Sequence, residues 1–269
     1  MNKDFLTKII ADKKEEIAAA KRSLPESLLR DKAAVPQKRR MFLKKLEQPG
    51  PSGINIIAEI KRASPSKGKI RGDINPAIYA SEYERGGAAA LSVLTDRTYF
   101  KGSIKDFKSA RQVVAIPVLR KDFLISTYQI YESAVIGADA VLLIARILSP
   151  NQLKDYLNLC NELTMDALVE IHSKKDMEVA TLAGARLIGI NNRDLSSFKT
   201  DINTTIRMAS LIKPGQVAVA ASGIKTREDI EKIQKAGIWN FLIGESLMRA
   251  SNPSAFLKSL MGYNSATEM

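Results

Sequence analysis

Short apolar segments alternate with longer amphipathic segments along most of the chain. Eight segments of strand length are almost continuously apolar, as is typical of parallel strands buried on both faces. These segments are Ile54–Ile60, Ala89–Leu94, Ile116–Arg120, Ala140–Ile144, Ala167–Ile171, Leu187–Ile190, Val217–Ala220 and Phe241–Ile243. The helical patterns between them often end in glycine, which adopts the left-handed conformation of a helix C-cap at little cost. Eight alternating units of this size predict an α/β fold, the (β/α)8 TIM barrel.

An open, doubly wound sheet is the competing arrangement. Such a sheet carries a Gly-rich dinucleotide-binding turn after its first strand. Here the first strand continues into Lys61–Pro65, which contains no glycine. The absence of this turn favours the closed barrel.

The first 53 residues follow a different pattern. Apolar residues recur at three- and four-residue spacing among Lys and Glu, so they predict an amphipathic helix that ends at Pro25. These apolar residues are Phe5, Leu6, Ile9, Ile10 and Ile17. A second short helix is predicted at Met41–Leu46, before the breaker sequence Pro49–Gly53. The expected domains are an N-terminal helical extension capping the barrel mouth (1–53), a catalytic barrel (54–262) and a C-terminal tail (263–269).

Composition narrows the class of protein. The 269 residues are 45% hydrophobic and 26% charged, so a large core is available and the disordered and collagen-like classes are excluded. The single cysteine, Cys160, cannot form an intrachain disulfide, which favours a reducing compartment. The chain has neither a segment long enough for a membrane span nor the continuous apolar centre of a signal peptide. We therefore expect a cytoplasmic protein without a membrane partner.

The chain is basic, with 41 Lys and Arg against 29 Asp and Glu and a formal net charge of +12. Nucleic-acid binders concentrate such charge on one face together with stacking aromatic residues. Only 6% of the residues in the chain are aromatic, and these aromatic residues are not interleaved with the basic runs. The pattern favours a solvated basic surface or a field that attracts a small anionic substrate, and we expect no nucleic-acid partner.

Charged side chains interrupt the apolar strands at their carboxyl ends, where (β/α)8 barrels place their active sites. The clearest are Glu59, Lys61, Lys121 and Glu170. A buried carboxylate costs several kcal/mol unless it is paired, and the two lysines are natural partners. We expect pairing and burial to move the pKa values towards neutrality, as acid–base chemistry requires. A purely structural ion-pair network is the alternative.

Further residues at the strand ends suggest anion binding. Gly223 and Gly244 follow the seventh and eighth strands, where such barrels bind phosphate with backbone amides, although each glycine could simply make a tight turn. The basic loop Lys61–Arg71 is either a solvated charge run or a lid over an anion. The only histidine, His172, is expected at the surface or just behind the site, and a metal site is not expected. Cys160 is expected to pack inside.

Six motifs occur in order over nearly the whole chain. They are Ala58–Ser66 (AEIKRASPS), Leu119–Phe123 (LRKDF), Val169–Ile171 (VEI), Ile188–Leu195 (IGINNRDL), Ala221–Ile224 (ASGI) and Leu242–Glu245 (LIGE). Together they resemble the indole-3-glycerol-phosphate synthase family of tryptophan biosynthesis. The resemblance implies a carboxy-lyase that uses neither metal nor cofactor. Its substrate would be 1-(2-carboxyphenylamino)-1-deoxyribulose 5-phosphate, a small phosphorylated anion, which the enzyme closes into a ring, decarboxylates and dehydrates.

The resemblance also implies residue roles. Lys121 matches the general acid that protonates the ketone oxygen, and Glu170 matches a carboxylate that shuttles protons. Glu59 and Lys61 match a pair linked to dehydration. The implied substrate-orienting residues are Asn191 and Ser222. The implied phosphate cradle consists of Ser64, Gly223, Gly244 and the amide of Glu245. The implied apolar slot for the anthranilate ring consists of Phe100, Phe123, Leu142, Leu195 and Leu242. Arg193 matches a position near the active site.

One position departs from the family pattern. Many members have Glu immediately before the Ser-Gly of the seventh strand, where this chain has Ala221. One carboxylate of the polar network is therefore missing, and we expect activity to persist because the four charged residues named above remain. We also expect a monomer without a fused partner enzyme.

Three other functions compete with this interpretation. A phosphoribosylanthranilate isomerase-like barrel would use a Cys and an Asp at strand ends, whereas Cys160 lies in a helical pattern. A nucleic-acid-binding protein explains the charge but not the strand-end residues. A catalytically inactive scaffold does not require both Lys121 and Glu170.

Overall fold

A closed barrel of eight parallel strands forms the centre of the computed structural model, which describes residues 3–194 and 198–263. The strands are β1 (Asn55–Ile60), β2 (Ala90–Leu94), β3 (Val118–Lys121), β4 (Ala140–Ile144), β5 (Asp166–Ile171), β6 (Leu187–Asn191), β7 (Val217–Ala221) and β8 (Asn240–Ile243). Each strand pairs with the next, and β8 pairs with β1. The predicted barrel is confirmed, with strand ends that differ by at most two residues from the expected ones. Closure rules out the doubly wound sheet.

Helices lie between and outside the strands. They are α1 (Lys3–Ser23), α2 (Glu26–Ala33), α3 (Phe42–Leu46), α4 (Pro76–Arg85), α5 (Ile104–Gln112), α6 (Thr127–Val135), α7 (Pro150–Glu162), α8 (Lys174–Leu182), α9 (Asn203–Ala209), α10 (Arg227–Gln234), α11 (Glu245–Arg249) and α12 (Pro253–Leu260). The turns into β4 and β8 use Gly137 and Gly237, each with φ of +84°, as the expected C-cap chemistry requires. None of the helices in the described ranges has the length and apolarity that a bilayer crossing needs.

Strand alternation explains which side chains reach the barrel interior. Ile57 packs in the interior cluster, while its neighbours Ile56 and Ala58 pack outward under the helices. Glu59 lies two residues beyond Ile57 and shares its inward face, one layer nearer the carboxyl end. On β5, Leu168 fills the interior in the same way. Glu170 follows it at the same spacing, so both carboxylates point into the mouth.

The N-terminal extension lies at both ends of the barrel. Helix α1 reaches the mouth, where Phe5, Leu6 and Ile9 line the central cavity. Helix α3 closes the opposite end, because Phe42 and Leu46 are fully buried in the interior cluster. Two side chains hold it there by donating to the carbonyl of Leu46: Trp239 Nε1, just before β8, at 3.2 Å and Asn240 Nδ2, at the start of β8, at 3.1 Å. The expected cap on the mouth is therefore α1 alone.

Two elements were not predicted. Helix α2 begins directly after Pro25, which is tolerated there because a helix N-cap needs no backbone N–H. Helix α1 ends at Ser23, just before Pro25, as expected, and only the new helix after the proline was missed. The loop Lys61–Arg71 contains a small antiparallel hairpin made of Ala63–Ser64 and Gly68–Lys69.

Candidate active site

A cavity of about 760 Å³ opens at the carboxyl ends of the strands. Nearly all of the predicted site residues line it. They are Glu59, Lys61, Phe100, Lys121, Phe123, Leu142, Glu170, Asn191, Arg193, Ser222, Gly223, Leu242, Gly244 and Glu245. Two do not belong to this set: Ser64 is buried in the hairpin outside the cavity lining, and Leu195 lies outside the described residues.

Glu59 is the centre of an ion cluster. Its Oε1 accepts a hydrogen bond of 2.6 Å from Lys61 Nζ, and its Oε2 lies 3.6 Å from Lys121 Nζ. Glu59 is almost fully buried, at 3% exposure. One carboxylate thus holds two ammonium groups at the edge of a common cavity.

The expected shift of pKa values towards neutrality is wrong for this cluster. Burial opposes ionisation of Glu59, but the charges of Lys61 and Lys121 outweigh it, and the pKa of Glu59 is lowered. Burial likewise opposes the charge on Lys121, but Glu59 and Glu170 outweigh it, and the pKa of Lys121 is raised. Mutual pairing therefore keeps both groups ionised, and Lys121 carries its proton before substrate arrives.

Glu170 is oriented by two neighbours. Its Oε1 accepts a hydrogen bond of 3.0 Å from Asn191 Nδ2 and lies 3.5 Å from His172 Nε2. Asn191 is itself fixed, because its Oδ1 accepts from the backbone N–H of Arg193 at 3.0 Å. Neither ring nitrogen of His172 has a hydrogen-bond partner among the described residues, and burial lowers the pKa of this histidine. His172 therefore lies directly behind Glu170, the second of its two expected locations.

The turn after β7 holds an unusual backbone conformation. Ser222 has φ of +70°, in the left-handed region that non-glycine residues rarely adopt. Asn192 supports this turn, since its Nδ2 donates to the Ser222 carbonyl at 3.0 Å. Asn192 is in turn held by Thr205, whose hydroxyl donates to its Oδ1 at 2.7 Å. Strained residues with such support are typical of functional sites.

One wall of the cavity is apolar. The rings of Phe100 and Phe123 are tilted against each other with centroids 6.2 Å apart. Leu142 and Leu242 come from the barrel interior below them. Sequence reasoning missed further apolar lining from α1 and from Phe198. Phe5 bridges two loops of the mouth, with its ring edge-on to Tyr99 at 5.4 Å and to Phe198 at 5.7 Å.

The opposite rim is basic. Arg193 Nη2 lies 3.9 Å from Glu245 Oε2, and the other oxygen of Glu245 accepts from Arg249 Nε at 3.3 Å. Further cavity-lining cations are Lys67, Lys199 and Lys225. Gly223, with φ of +79°, lies on the same edge of the cavity. The arrangement suits a multiply charged anion, because several cations share one side.

Both ends of the loop Lys61–Arg71 are anchored. Arg62 forms a bidentate ion pair with Asp106 of α5. At the other end, Arg71 Nη1 donates to the carbonyls of Met248 and Ala250, at 3.2 and 3.1 Å. Pro65 and Lys67 between these anchors line the cavity, so the loop is part of the site rather than a solvated charge run.

The described residues contain no group of three or more His, Cys, Asp or Glu arranged to hold a metal ion. Cys160 is buried in the core, as expected for packing. Its position on α7 also leaves it outside the cavity lining.

A closed barrel with acid–base groups in a cavity at its strand ends defines a (β/α)8-barrel enzyme. The family model of indole-3-glycerol phosphate synthase matches residues 6–260. The chain belongs to the indole-3-glycerol phosphate synthase family and is therefore a carboxy-lyase.

Individual relatives agree with this assignment. The chain is 56% identical over 259 residues to indole-3-glycerol phosphate synthase of Desulfosudis oleivorans, with 96% of this chain and 98% of the relative covered. It is 53% identical, with the same coverage, to the enzyme of the same name from Syntrophobacter fumaroxidans. Among solved structures, 3-hexulose-6-phosphate synthase from Salmonella typhimurium superposes with a TM-score of 0.61 at 10% identity, covering 78% of this chain and 98% of that one. This last likeness concerns the fold alone.

Proposed function

We propose that this cavity converts 1-(2-carboxyphenylamino)-1-deoxyribulose 5-phosphate into indole-3-glycerol phosphate, carbon dioxide and water. The observation that carries the proposal is the meeting of Glu59, Lys61, Lys121 and Glu170 in one cavity with an apolar and a basic side. The substrate carries an aromatic ring at one end and a phosphate at the other. The two sides of the cavity match these two ends.

Lys121 is the proposed general acid of ring closure. The ring carbon that bears the carboxylate attacks the ketone carbon, and the ketone oxygen takes a proton from Lys121 Nζ as its negative charge develops. Glu59 and Glu170 raise the pKa of Lys121, so the lysine is fully protonated at neutral pH. The fixed ammonium, which is mostly buried, also stabilises the developing oxyanion.

Glu170 is the proposed stabiliser of the cationic ring intermediate. Ring closure leaves positive charge on the anilino nitrogen and its conjugated ring until carbon dioxide departs. Asn191 holds the carboxylate of Glu170 at the cavity wall, and the buried setting strengthens its interaction with such a cation. After decarboxylation, Glu170 relays a proton from solvent to Lys121, which restores the acid for the next turnover.

Glu59 and Lys61 are assigned to dehydration. The hydroxyl group formed from the ketone leaves as water after protonation by an ammonium group, and a ring proton is removed to restore aromaticity. Lys61 Nζ supplies the proton for the leaving water. The ionised carboxylate of Glu59 accepts the ring proton and passes it back to Lys61 across their contact of 2.6 Å. Ser222 orients the substrate beside this pair.

Direct turnover tests the proposal. The purified chain is incubated with the carboxyphenylamino-deoxyribulose phosphate, and indole fluorescence is followed beside Lys121→Ala and the exposed control Lys105→Ala. We expect turnover by the parent and by Lys105→Ala, and a loss of roughly 10²–10⁴-fold in Lys121→Ala. Absence of product with the parent chain would overturn the proposed function, and full activity of Lys121→Ala would overturn the assignment of the acid.

We further propose that the enzyme acts as a cytoplasmic monomer. Every residue of the proposed machinery lies on one chain around one barrel mouth, so no second copy is needed to complete the site. A sedimentation experiment at assay concentration tests the oligomeric state. A dimer that loses activity on dilution would contradict it.

A further inference from the structure

Lys13 is a buried cation that the proposed chemistry does not use. It belongs to α1, and only 2% of its surface is exposed. Its Nζ lies 2.8 Å from Asp122 Oδ1, 3.1 Å from Asp96 Oδ2 and 2.9 Å from Glu16 Oε2. Burying a lysine is costly unless its partners compensate, and the two nearly inaccessible aspartates are those partners.

Each of these aspartates fixes one aromatic wall residue of the cavity. Asp96 Oδ1 accepts hydrogen bonds from the backbone N–H groups of Tyr99, at 2.7 Å, and Phe100, at 2.9 Å. Asp122 Oδ1 accepts from the backbone N–H of Phe123 at 2.8 Å. Lys13 is thus the cation shared by the two carboxylates that hold the loops of Phe100 and Phe123.

The same lysine seats α1 on the barrel. Asp12, the residue before it, accepts a hydrogen bond from the hydroxyl group of Tyr99. One and two turns nearer the N-terminus, Ile9 and Phe5 of α1 line the cavity. A single ammonium group therefore joins the helix that covers the mouth to both loops of the aromatic wall.

We propose that Lys13 is a positioning residue for the aromatic ring of the substrate. It acts through Asp96 and Asp122, which set the separation of Phe100 and Phe123, and through α1, which closes the slot above them. This inference rests on the proposed function, because it assigns the substrate ring to that wall. Lys13 itself touches no reacting atom.

The proposal separates binding from chemistry. Lys121 keeps its partners Glu59 and Glu170 when Lys13 is replaced, so the chemical step retains its acid. The phosphate end is held by the basic rim on the other side of the cavity. Loss of Lys13 should therefore weaken binding of the substrate's aromatic ring equally in the ground state and in the transition state. Such a loss raises KM and leaves kcat unchanged.

The test compares Lys13→Met with Lys13→Arg and with Lys14→Met, the same replacement at the exposed neighbouring position. We expect KM to rise roughly tenfold in Lys13→Met with kcat within about threefold, and no change in Lys14→Met. Lys13→Arg, which keeps the charge, should recover most of the loss. Inhibition by inorganic phosphate, a probe of the basic rim alone, should be equal in all variants.

Other results would overturn the proposal. These are an unchanged KM in Lys13→Met, a fall in kcat at constant KM, an equal effect in Lys14→Met, or no improvement by Lys13→Arg. If Lys13→Met does not fold, the double variant Lys13→Met/Asp96→Asn removes one charge of each sign, and it must show the same rise in KM.

A second readout is independent of turnover. Trypsin should cut α1 faster in Lys13→Met than in Lys14→Met, because the helix has lost its buried anchor. Equal cleavage would contradict the seating of α1 by Lys13. If the parent chain lacked turnover, the proposed function would fail while this measurement still decided the seating of α1.

Discussion

Gly244 lies against the carboxyl group of Glu59 so closely that a Cβ at this glycine would stand 2.5 Å from Glu59 Oε1. It would also stand 3.0 Å from Lys61 Nζ. The first residue after β8 must therefore lack a side chain, because the ion pair of Glu59 and Lys61 at the end of β1 occupies that space. The two strands are neighbours in the closed barrel, so this contact exists only because the sheet closes.

Replacement of Gly244 by Ala should damage catalysis more than folding. The added methyl group must displace the carboxyl group of Glu59, which breaks its hydrogen bond of 2.6 Å with Lys61. We expect kcat to fall by at least about tenfold, since misplacement by 1 Å is sufficient for larger losses. Steady-state kinetics with the carboxyphenylamino-deoxyribulose phosphate measures this fall.

Gly184→Ala is the control for this prediction. Gly184 has φ of +88° with nothing within 4 Å of an added Cβ, so alanine there strains the backbone by about 1–2 kcal/mol without touching the site. The Tm of Gly184→Ala should fall, while its kcat should remain that of the parent. Equal kcat values for both variants would refute the steric coupling between Gly244 and Glu59.

The two carboxylates at the strand ends could be predicted because their spacing has a physical cause. Glu59 and Glu170 interrupt apolar strands, and an inward position follows from alternation along a strand once the barrel is assumed. Asn191 and Ser222 were implied by the family resemblance, and alternation could not have oriented Ser222, because it lies in the turn after β7 with φ of +70°. The location of Ser64 could not be predicted, because the hairpin that removes it from the cavity lining depends on pairing across a loop.

The role of α1 lay beyond the sequence pattern. Lys13 lies in a charged stretch whose composition is typical of a solvent-exposed helix face. Tertiary contacts with Asp96 and Asp122 nevertheless bury it. Phe5 belongs to the apolar face of α1, but the sequence pattern does not show that the N-terminal end of this face covers a cavity. The direction of the pKa shift at Lys121 also depended on distances to Glu59 that no sequence supplies.

His172 should make the folded state sensitive to mild acid. Burial and the charge of Arg146 lower its pKa, while Glu170 and Asp176 oppose them. Below about pH 6.5 the unfolded chain binds a proton at this residue and the folded chain does not, so the free energy of unfolding falls as pH falls. The fall ends once pH passes below the pKa in the folded state.

Urea unfolding at about pH 7.5 and about pH 5.5 measures this effect, which amounts to at most about 1.4 kcal/mol per pH unit for one proton. His172→Gln should show a smaller difference between the two pH values than the parent. A difference of equal size in both proteins would assign the acid sensitivity to other groups.

Cys160 should be chemically silent in the folded protein. Burial raises the pKa of its thiol to about 12, so almost no thiolate exists at neutral pH, and the side chain is inaccessible. A disulfide reagent should leave the native protein unmodified for hours and label one thiol in guanidinium chloride. Rapid labelling of the native protein with retained activity would contradict the buried position.

Ala221→Glu tests how closely the charges of the mouth are coupled. Ala221 is 4% exposed, lines the cavity and pairs in register with Asn191, the residue that orients Glu170. A carboxylate at this position is a like charge for Glu59, so it opposes the ionised form that the two lysines favour and raises the pKa of Glu59. We expect the acidic limb of kcat/KM to move to higher pH, while the fold changes little because the new side chain opens into the cavity. The uncharged variant Ala221→Gln has nearly the same shape and should keep the profile of the parent. Coincident pH profiles for the Glu and Gln variants would show that no electrostatic coupling links this position to the reacting groups.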